Sequence, residues 1–398
     1  MSARVKTVLC GIGGYGANYY LKELFVSEES PVEFVGFVDP APQSSPFFER
    51  IRESGTAVHA SLEEFYESNE AELAILASPI QFHCPQTLLA LSRGSHVLCE
   101  KPLCAGLEEA ERMIAARRES GLVLAVGYQR SYIESTRRFK ADILAGEWGR
   151  PVSARTMTLW PRSRQYYRRN GWAGRIADDR GRAVLDSPVN NATAHYLHHM
   201  LYVLGDSPKR SAVPEEVEAQ LYRAHDIENY DTAVLRCRTS AGAEVFFVTT
   251  HTGTVQQGPV FEFIFERGRV TCDRPGGEVV GEWSDGRRRS YGPADEPGCA
   301  KVLDTVAAIR EGRESLCGPE AAAGHTVCMT AAQESGSPPV ELPRQLVREV
   351  EDREQQWLEV EGLEELLLGA YRSARLPDPG DAPWVKPARI VRPENCAK

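Results

Sequence analysis

Nowhere in the chain do eighteen consecutive apolar residues occur, so no segment reads as a membrane span. No Cys-x-x-Cys pair is present, and Cys10, Cys99, Cys237 and Cys328 sit in apolar runs as small hydrophobes do. That placement argues for reduced packing thiols and against a metal site. A surplus of positive charge is also missing. With 46 Lys and Arg against 56 Asp and Glu, the net charge of −10 disfavours a nucleic-acid partner held by phosphate neutralisation. The opening MSARVKTVLCGIGG breaks its apolar run with glycines too early for a signal peptide. A soluble, cytoplasmic protein with neither membrane nor nucleic-acid partners is expected.

What is present is the composition of an ordinary globular protein, 42% hydrophobic and 26% charged. At 398 residues the chain is too long for one core. In residues 1–130, near-continuous apolar runs (5–13, 32–40, 71–79, 96–102, 122–129) alternate with helix-like stretches. Such alternation indicates an α/β domain with a doubly wound parallel sheet covered on both faces. One of these helices opens with a capping box at Ser61. Residues 131–335 read differently. A helix spans 188–204 with Ser187 as N-cap and Gly205 as its stop, and alternating runs at 232–238, 243–251 and 259–272 describe a large open, mostly antiparallel sheet in an α+β domain. Residues 336–398 form an extension, helix-like near 362–375 and ending in a Pro-rich tail, expected to pack on both domains.

Gly11-Ile12-Gly13-Gly14-Tyr15-Gly16 fits the G-x-G-x-x-G pattern, follows the first strand, and is followed at the end of the next strand by Asp39. The first glycine allows the tight turn, the second admits a pyrophosphate, and the third lets helix and strand pack. The helix N-terminus favours phosphate charge, and Asp39 suits the ribose hydroxyls while repelling a 2′-phosphate. NAD is therefore the expected cofactor, with NADP the alternative.

With this loop, the motifs SPIQFH (78–83), CEKPL (99–103) and GYQR (127–130) resemble the glucose–fructose oxidoreductase / inositol dehydrogenase / MocA family. The resemblance implies cofactor contacts from Ser78, Pro79, His83, Glu100, Lys101 and Gln129. It also implies that Lys101 reaches the substrate beside the nicotinamide, and that a helix-borne histidine ten residues before a helix-ending glycine joins in catalysis. That histidine is His195, with Asn191 where the family usually has Asp; Asp186 is the neighbouring acid that would supply the missing charge. His198 and His199 lie on the same helix. At i, i+4 spacing Asn191 and His195 share a face.

The interval from Arg150 to Arg182 holds nine arginines and two acids, Asp178 and Asp179. Trp160, Arg162 and Trp172 are its candidates for substrate contact, since aromatic faces stack on sugar rings and arginines pair with anions. The implied activity is hydride transfer between a nicotinamide and a secondary alcohol of a sugar, amino sugar or cyclitol. A cofactor-retaining enzyme that oxidises a sugar only transiently, and a non-catalytic NAD sensor, are the rival readings. The open sheet face implies a homodimer or homotetramer.

Overall fold

The computed structural model describes residues 3–296 and 298–393, which divide into two compact units. Unit 1 holds residues 3–104, 108–132 and 298–322. Its strands β1 (Val5–Cys10), β2 (Val32–Val38), β3 (Val58–His59), β4 (Leu73–Leu76), β5 (His96–Cys99) and β6 (Leu124–Val126) are all parallel, in the order β3-β2-β1-β4-β5-β6. Strand order reverses between β1 and β4, and in sheets of this type ligands bind beyond the carboxyl ends at that reversal. The glycine loop, Ser78–Pro79 and Glu100–Lys101 follow β1, β4 and β5 and therefore share that edge. Burial explains the uninterrupted apolar runs: all of Leu73–Leu76 and Val97–Cys99 are buried. The cap at Ser61 forms, with the reciprocal bond shifted one residue earlier than in a capping box. The Ser61 hydroxyl accepts from the Glu64 N–H at 3.2 Å, and the Glu64 carboxylate accepts from the Ala60 N–H at 2.8 Å.

The helix Ala300–Glu311 returns to unit 1, although the sequence placed it in the second domain. Val302 and Val306 on its buried side join the core of Leu9, Leu73, Ile75 and Leu98. An apolar stripe of that kind fits either domain, so sequence alone assigns it by position.

Unit 2 holds residues 105–107, 133–296 and 323–393. Its strands are β7 (Pro151–Leu159), β8 (Pro214–Arg223), β9 (Thr232–Thr239), β10 (Glu244–Thr250), β11 (Gln257–Phe265), β12 (Gly268–Cys272), β13 (Glu278–Trp283), β14 (Arg288–Pro293) and β15 (Val340–Glu341). They form a nine-stranded sheet, order β14-β13-β12-β11-β7-β10-β9-β8-β15, antiparallel except for the β7–β10 and β8–β15 pairs. Alternation sends Val245, Phe247, Ala233 and Leu235 to a core shared with Leu197, Met200 and Leu201, and Phe246, Val248 and Val234 to the opposite face.

That opposite face is not open where it is most apolar. Met157, Leu159, Val234, Phe246 and Val248 are covered by Val360, Leu363, Leu367 and Ala370. These come from a hairpin of β16 (Val347–Asp352) and β17 (Gln355–Val360) and from the helix Leu363–Ser373. The tail continues over β8: Val391 pairs with Val217, and the Gln220 amide donates to the Pro377 and Lys386 carbonyls. The described part of the extension clusters with unit 2, and it covers part of the sheet face through which self-association was expected. Among the described residues, no helix is long and apolar enough to cross a membrane.

Candidate functional site

In unit 1 the glycine loop has the shape its spacing implies. Gly11 adopts φ +86°, and a Cβ there would lie 2.6 Å from the Ala77 carbonyl oxygen. A Cβ on Gly16 would meet the Gly11 oxygen at 1.8 Å, so the helix that follows packs directly on the turn. At Gly13 a Cβ would meet nothing within 4 Å, which leaves the backbone open on the side a pyrophosphate needs. The following helix, Gly16–Phe25, is wound as a π-helix. Asp39 is fixed beside the loop, accepting from the Ile12 N–H at 3.1 Å and the Ala41 N–H at 2.9 Å. A carboxylate has further lone-pair sites for ribose hydroxyls. Ile12 is buried, its N–H given to Asp39 and its carbonyl accepting from the Ser45 hydroxyl, whereas Tyr15 is exposed. The residues present therefore fit a dinucleotide.

Within the motif Glu100-Lys101-Pro102 the two charged residues differ in burial. Glu100 turns inward and is buried: its carboxylate accepts from the Tyr20 hydroxyl at 2.6 Å, from the Lys101 N–H at 3.2 Å, and from the Lys301 ammonium. Gly127 of the GYQR motif leaves room for it, since a Cβ there would lie 2.7 Å from that carboxylate. Lys301 is itself buried, its Nζ 4.8, 4.3 and 5.2 Å from the ring centroids of Tyr15, Tyr19 and Tyr20. Burial pushes the Lys301 ammonium down and the Glu100 carboxylate pulls it back. Burial, then Glu100, pushes the Tyr20 hydroxyl far up. Lys101 is half-buried, beyond the end of β5.

His83, like Glu100, is held by contacts within unit 1. The His83 ring is buried, with Nδ1 2.8 Å from the Pro102 carbonyl and Nε2 2.9 Å from the Ser78 carbonyl, and burial lowers its pKa. It braces the loops after β4 and β5 and has no ring nitrogen to spare. The Ser78 hydroxyl donates to Gln86 at 2.6 Å, adjacent Pro79 leads into the helical turn Ile80–Phe82, and Gln129 stands exposed after β6.

In unit 2 the structure joins Asn191 directly to Asp186. The Asn191 amide donates to Asp186 Oδ1 at 2.7 Å, and Oδ2 accepts from the Gly174 N–H at 2.6 Å. The expected single helix 188–204 is interrupted. A π-turn, Pro188–Ala192, capped by the Ser187 hydroxyl on the Asn190 N–H, gives way at Thr193 to the helix Ala194–Val203. The Thr193 hydroxyl donates to the Pro188 carbonyl at 2.7 Å and lies 3.1 Å from the Thr249 hydroxyl of β10, fixing the break. Asn191 and His195 thus do not share a regular i, i+4 face. Both are half-buried, while His198 and His199 are core residues. His198 stacks on Tyr202, and burial holds it well below the usual histidine range; His199 packs edge-on against Phe261. Trp160 packs on Tyr196 and donates to the Gly258 carbonyl at 3.3 Å, Arg162 lies 5.7 Å from the Trp160 ring, and Trp172 faces Arg169 at 5.2 Å. No group of three or more His, Cys, Asp or Glu among the described residues is placed to hold a metal.

Lys301, Tyr20 and Gly127 escaped the sequence reading. The signal available was the GYQR glycine for one and, for Lys301, a charged residue on the apolar side of a helix beside Val302 and Val306.

Residues 5–128 match the family model of the oxidoreductase family with NAD-binding Rossmann fold, GFO_IDH_MocA. Residues 5–128 thus carry the NAD-binding domain of the Gfo/Idh/MocA oxidoreductases. It is 32% identical over 150 residues to a 1,5-anhydro-D-fructose reductase of Ensifer adhaerens, a match covering 37% of this chain and 42% of that one. The match therefore spans less than half of the reductase. A 4-carboxy-2-hydroxymuconate-6-semialdehyde dehydrogenase of Sphingobium sp. is 24% identical over 326 residues, 78% of this chain and 92% of that one. Among solved structures, the WlbA dehydrogenase of Bordetella pertussis, in complex with NADH and UDP-GlcNAcA, superposes with a TM-score of 0.66 at 22% identity, covering 84% of this chain and 96% of that one. That likeness is one of fold. The family brings with it an NAD-binding domain, which the glycine loop and Asp39 bear out in geometry.

Proposed function

We propose that this chain is a nicotinamide-dependent dehydrogenase acting on a secondary alcohol of a sugar, amino sugar or cyclitol. The observation that supports the reading is the pair at the end of β5: Glu100 is buried and held by Tyr20 and Lys301, and half-buried Lys101 follows it at the carboxyl edge of the sheet. The bound nicotinamide would accept or return the hydride. Lys101 would stabilise the negative charge that develops on the alcohol oxygen. His195 would take the hydroxyl proton and return it in the reverse direction, the general acid–base role an imidazole can fill. Asn191, held by Asp186, would orient a neighbouring hydroxyl without transferring a proton. Trp160 and Trp172 would offer aromatic faces to the ring. Matches to a D-glucoside 3-dehydrogenase of Escherichia coli, over 34% of this chain, and to a levoglucosan dehydrogenase structure support a sugar alcohol as substrate.

A panel of polyols, sugars and amino sugars, read at the nicotinamide absorbance with NAD and NADP, tests this reading; no turnover with any member would oppose it. The same samples check cofactor choice. Because Asp39 would repel a 2′-phosphate, NAD is expected to bind at least about tenfold more tightly than NADP, roughly 1.4 kcal/mol. Calorimetry giving equal affinities would remove Asp39 from that role.

A further inference from the structure

The arginines between Arg150 and Arg182 are not equivalent. Arg150 pairs with Glu266, Arg155 with Glu262, Arg164 with Glu349, Arg175 with Asp179, and Arg182 with Asp178. Arg168, Arg169 and Arg180 are exposed. Arg162 and Arg169 are different again: no carboxylate among the described residues pairs with either, yet both gather on Tyr166, at 5.1 and 3.6 Å from its ring centroid. Arg162 is half-buried, and its Nε is fully buried with no hydrogen-bond acceptor. Its guanidinium also donates from Nη1 to the Pro161 carbonyl at 3.2 Å and hydrogen-bonds the Tyr166 hydroxyl, and that of Arg169 donates to the Tyr166 carbonyl at 2.6 Å. A partly desolvated guanidinium without an anion costs free energy, and the cost is recovered when an anion arrives.

A third donor meets the same ring. His251, 2% exposed, packs edge-on against Tyr166 at 5.7 Å, with Nδ1 2.7 Å from the Tyr167 hydroxyl. Its Nε2 is buried and has no partner. Burial first, then Arg162, holds the imidazole well below its usual range, and so it is neutral. Burial also keeps Tyr167 protonated, and its hydroxyl has no other acceptor among the described hydrogen bonds. Tyr167 therefore donates to Nδ1, and the ring proton sits on Nε2. The framework is rigid: the Arg162 N–H donates to the His251 carbonyl at 2.8 Å, and the Arg162 carbonyl lies 3.2 Å from His225 Nε2. His225 is in turn paired with buried Asp231 at 2.9 Å. Burial first, then the nearby Asp186, raises the Tyr166 hydroxyl pKa; the Asp186 oxygens accept from Gly174 and Asn191.

We propose that Arg162, Arg169 and the Nε2–H of His251 form an anion receptor around Tyr166, so that the sugar substrate carries a carboxylate or a phosphate. This rests on unit 2 being the sugar-binding half of a dehydrogenase. Binding to the NAD-loaded full chain is measured by calorimetry for neutral hexoses, the corresponding hexuronates and the hexose phosphates. At least one anionic sugar is expected to bind ten times or more tighter than its neutral counterpart, and the two anionic arms separate carboxylate from phosphate. Arg162→Gln should abolish that advantage while leaving NAD affinity and melting temperature unchanged, and Arg169→Gln should reduce it. The proposal is overturned if no anionic sugar outbinds its neutral counterpart, or if the advantage survives both substitutions. Since binding is read without turnover, an anionic sugar that binds but is not oxidised would count against the dehydrogenase reading and not against the receptor.

Discussion

Replacing Lys101 by alanine is expected to lower turnover by about a hundredfold or more, ~2.7 kcal/mol of transition-state stabilisation, while NAD affinity stays nearly constant. The expectation follows from where the side chain is and what it leaves behind. β5 is paired on both sides, by β4 and β6, and the Glu100 N–H donates to the Leu76 carbonyl at 2.8 Å, so the backbone that carries Lys101 is fixed without its side chain. The glycine loop and Asp39 are built from other strands and need no ammonium at position 101. His195→Ala should also depress turnover, with a residual rate that climbs with pH as hydroxide replaces the base. His198→Ala, a change to a fully buried ring on the same helix, should cost stability and leave turnover near the parental value. Steady-state kinetics at saturating substrate decide the matter. A Lys101→Ala enzyme with parental turnover would reduce the motif to a strand terminator.

The second large effect falls on stability. Glu100→Gln leaves the Lys301 ammonium buried without a counter-charge, and Lys301→Met does the same to the Glu100 carboxylate. Breaking one partner of a buried pair costs about 3–5 kcal/mol, a large share of the roughly 5–15 kcal/mol that holds a typical domain together. Each single variant should therefore unfold at much lower urea than the parent. The double variant should recover part of the loss, because no uncompensated charge remains. Single variants within about 1 kcal/mol of the parent would mean that the pair is not the buried network described.

The ion pair also shows where a sequence stops being informative. G-x-G-x-x-G, Asp39 and Glu100-Lys101-Pro102 are contiguous or close, and each has a local geometric reason, so their places at the strand ends could be read directly. Lys301 lies far along the chain on a helix whose position suggested the other domain, and nothing local links it to Glu100. The break at Thr193 was hidden for a related reason. Its cause is a hydrogen bond to Thr249 on a distant strand, whereas Ser187, Pro188 and Gly205 mark the correct outer limits of one apparent helix. The cover over the β7–β10 sheet face was likewise invisible. The apolar residues of the helix Leu363–Ser373 were legible as an amphipathic stripe, but not the surface that receives them. Asp186 was named as the acid near Asn191 because it precedes the cap, and there proximity in sequence did become contact.

The most direct test of the central claim follows the hydrogen itself. A sugar that the enzyme turns over is prepared with deuterium on its carbons, and the cofactor recovered from the reaction is weighed by mass spectrometry. Hydride transfer from a carbinol carbon predicts one deuterium in the reduced nicotinamide. Turnover of the labelled sugar with cofactor that never acquires deuterium would contradict it.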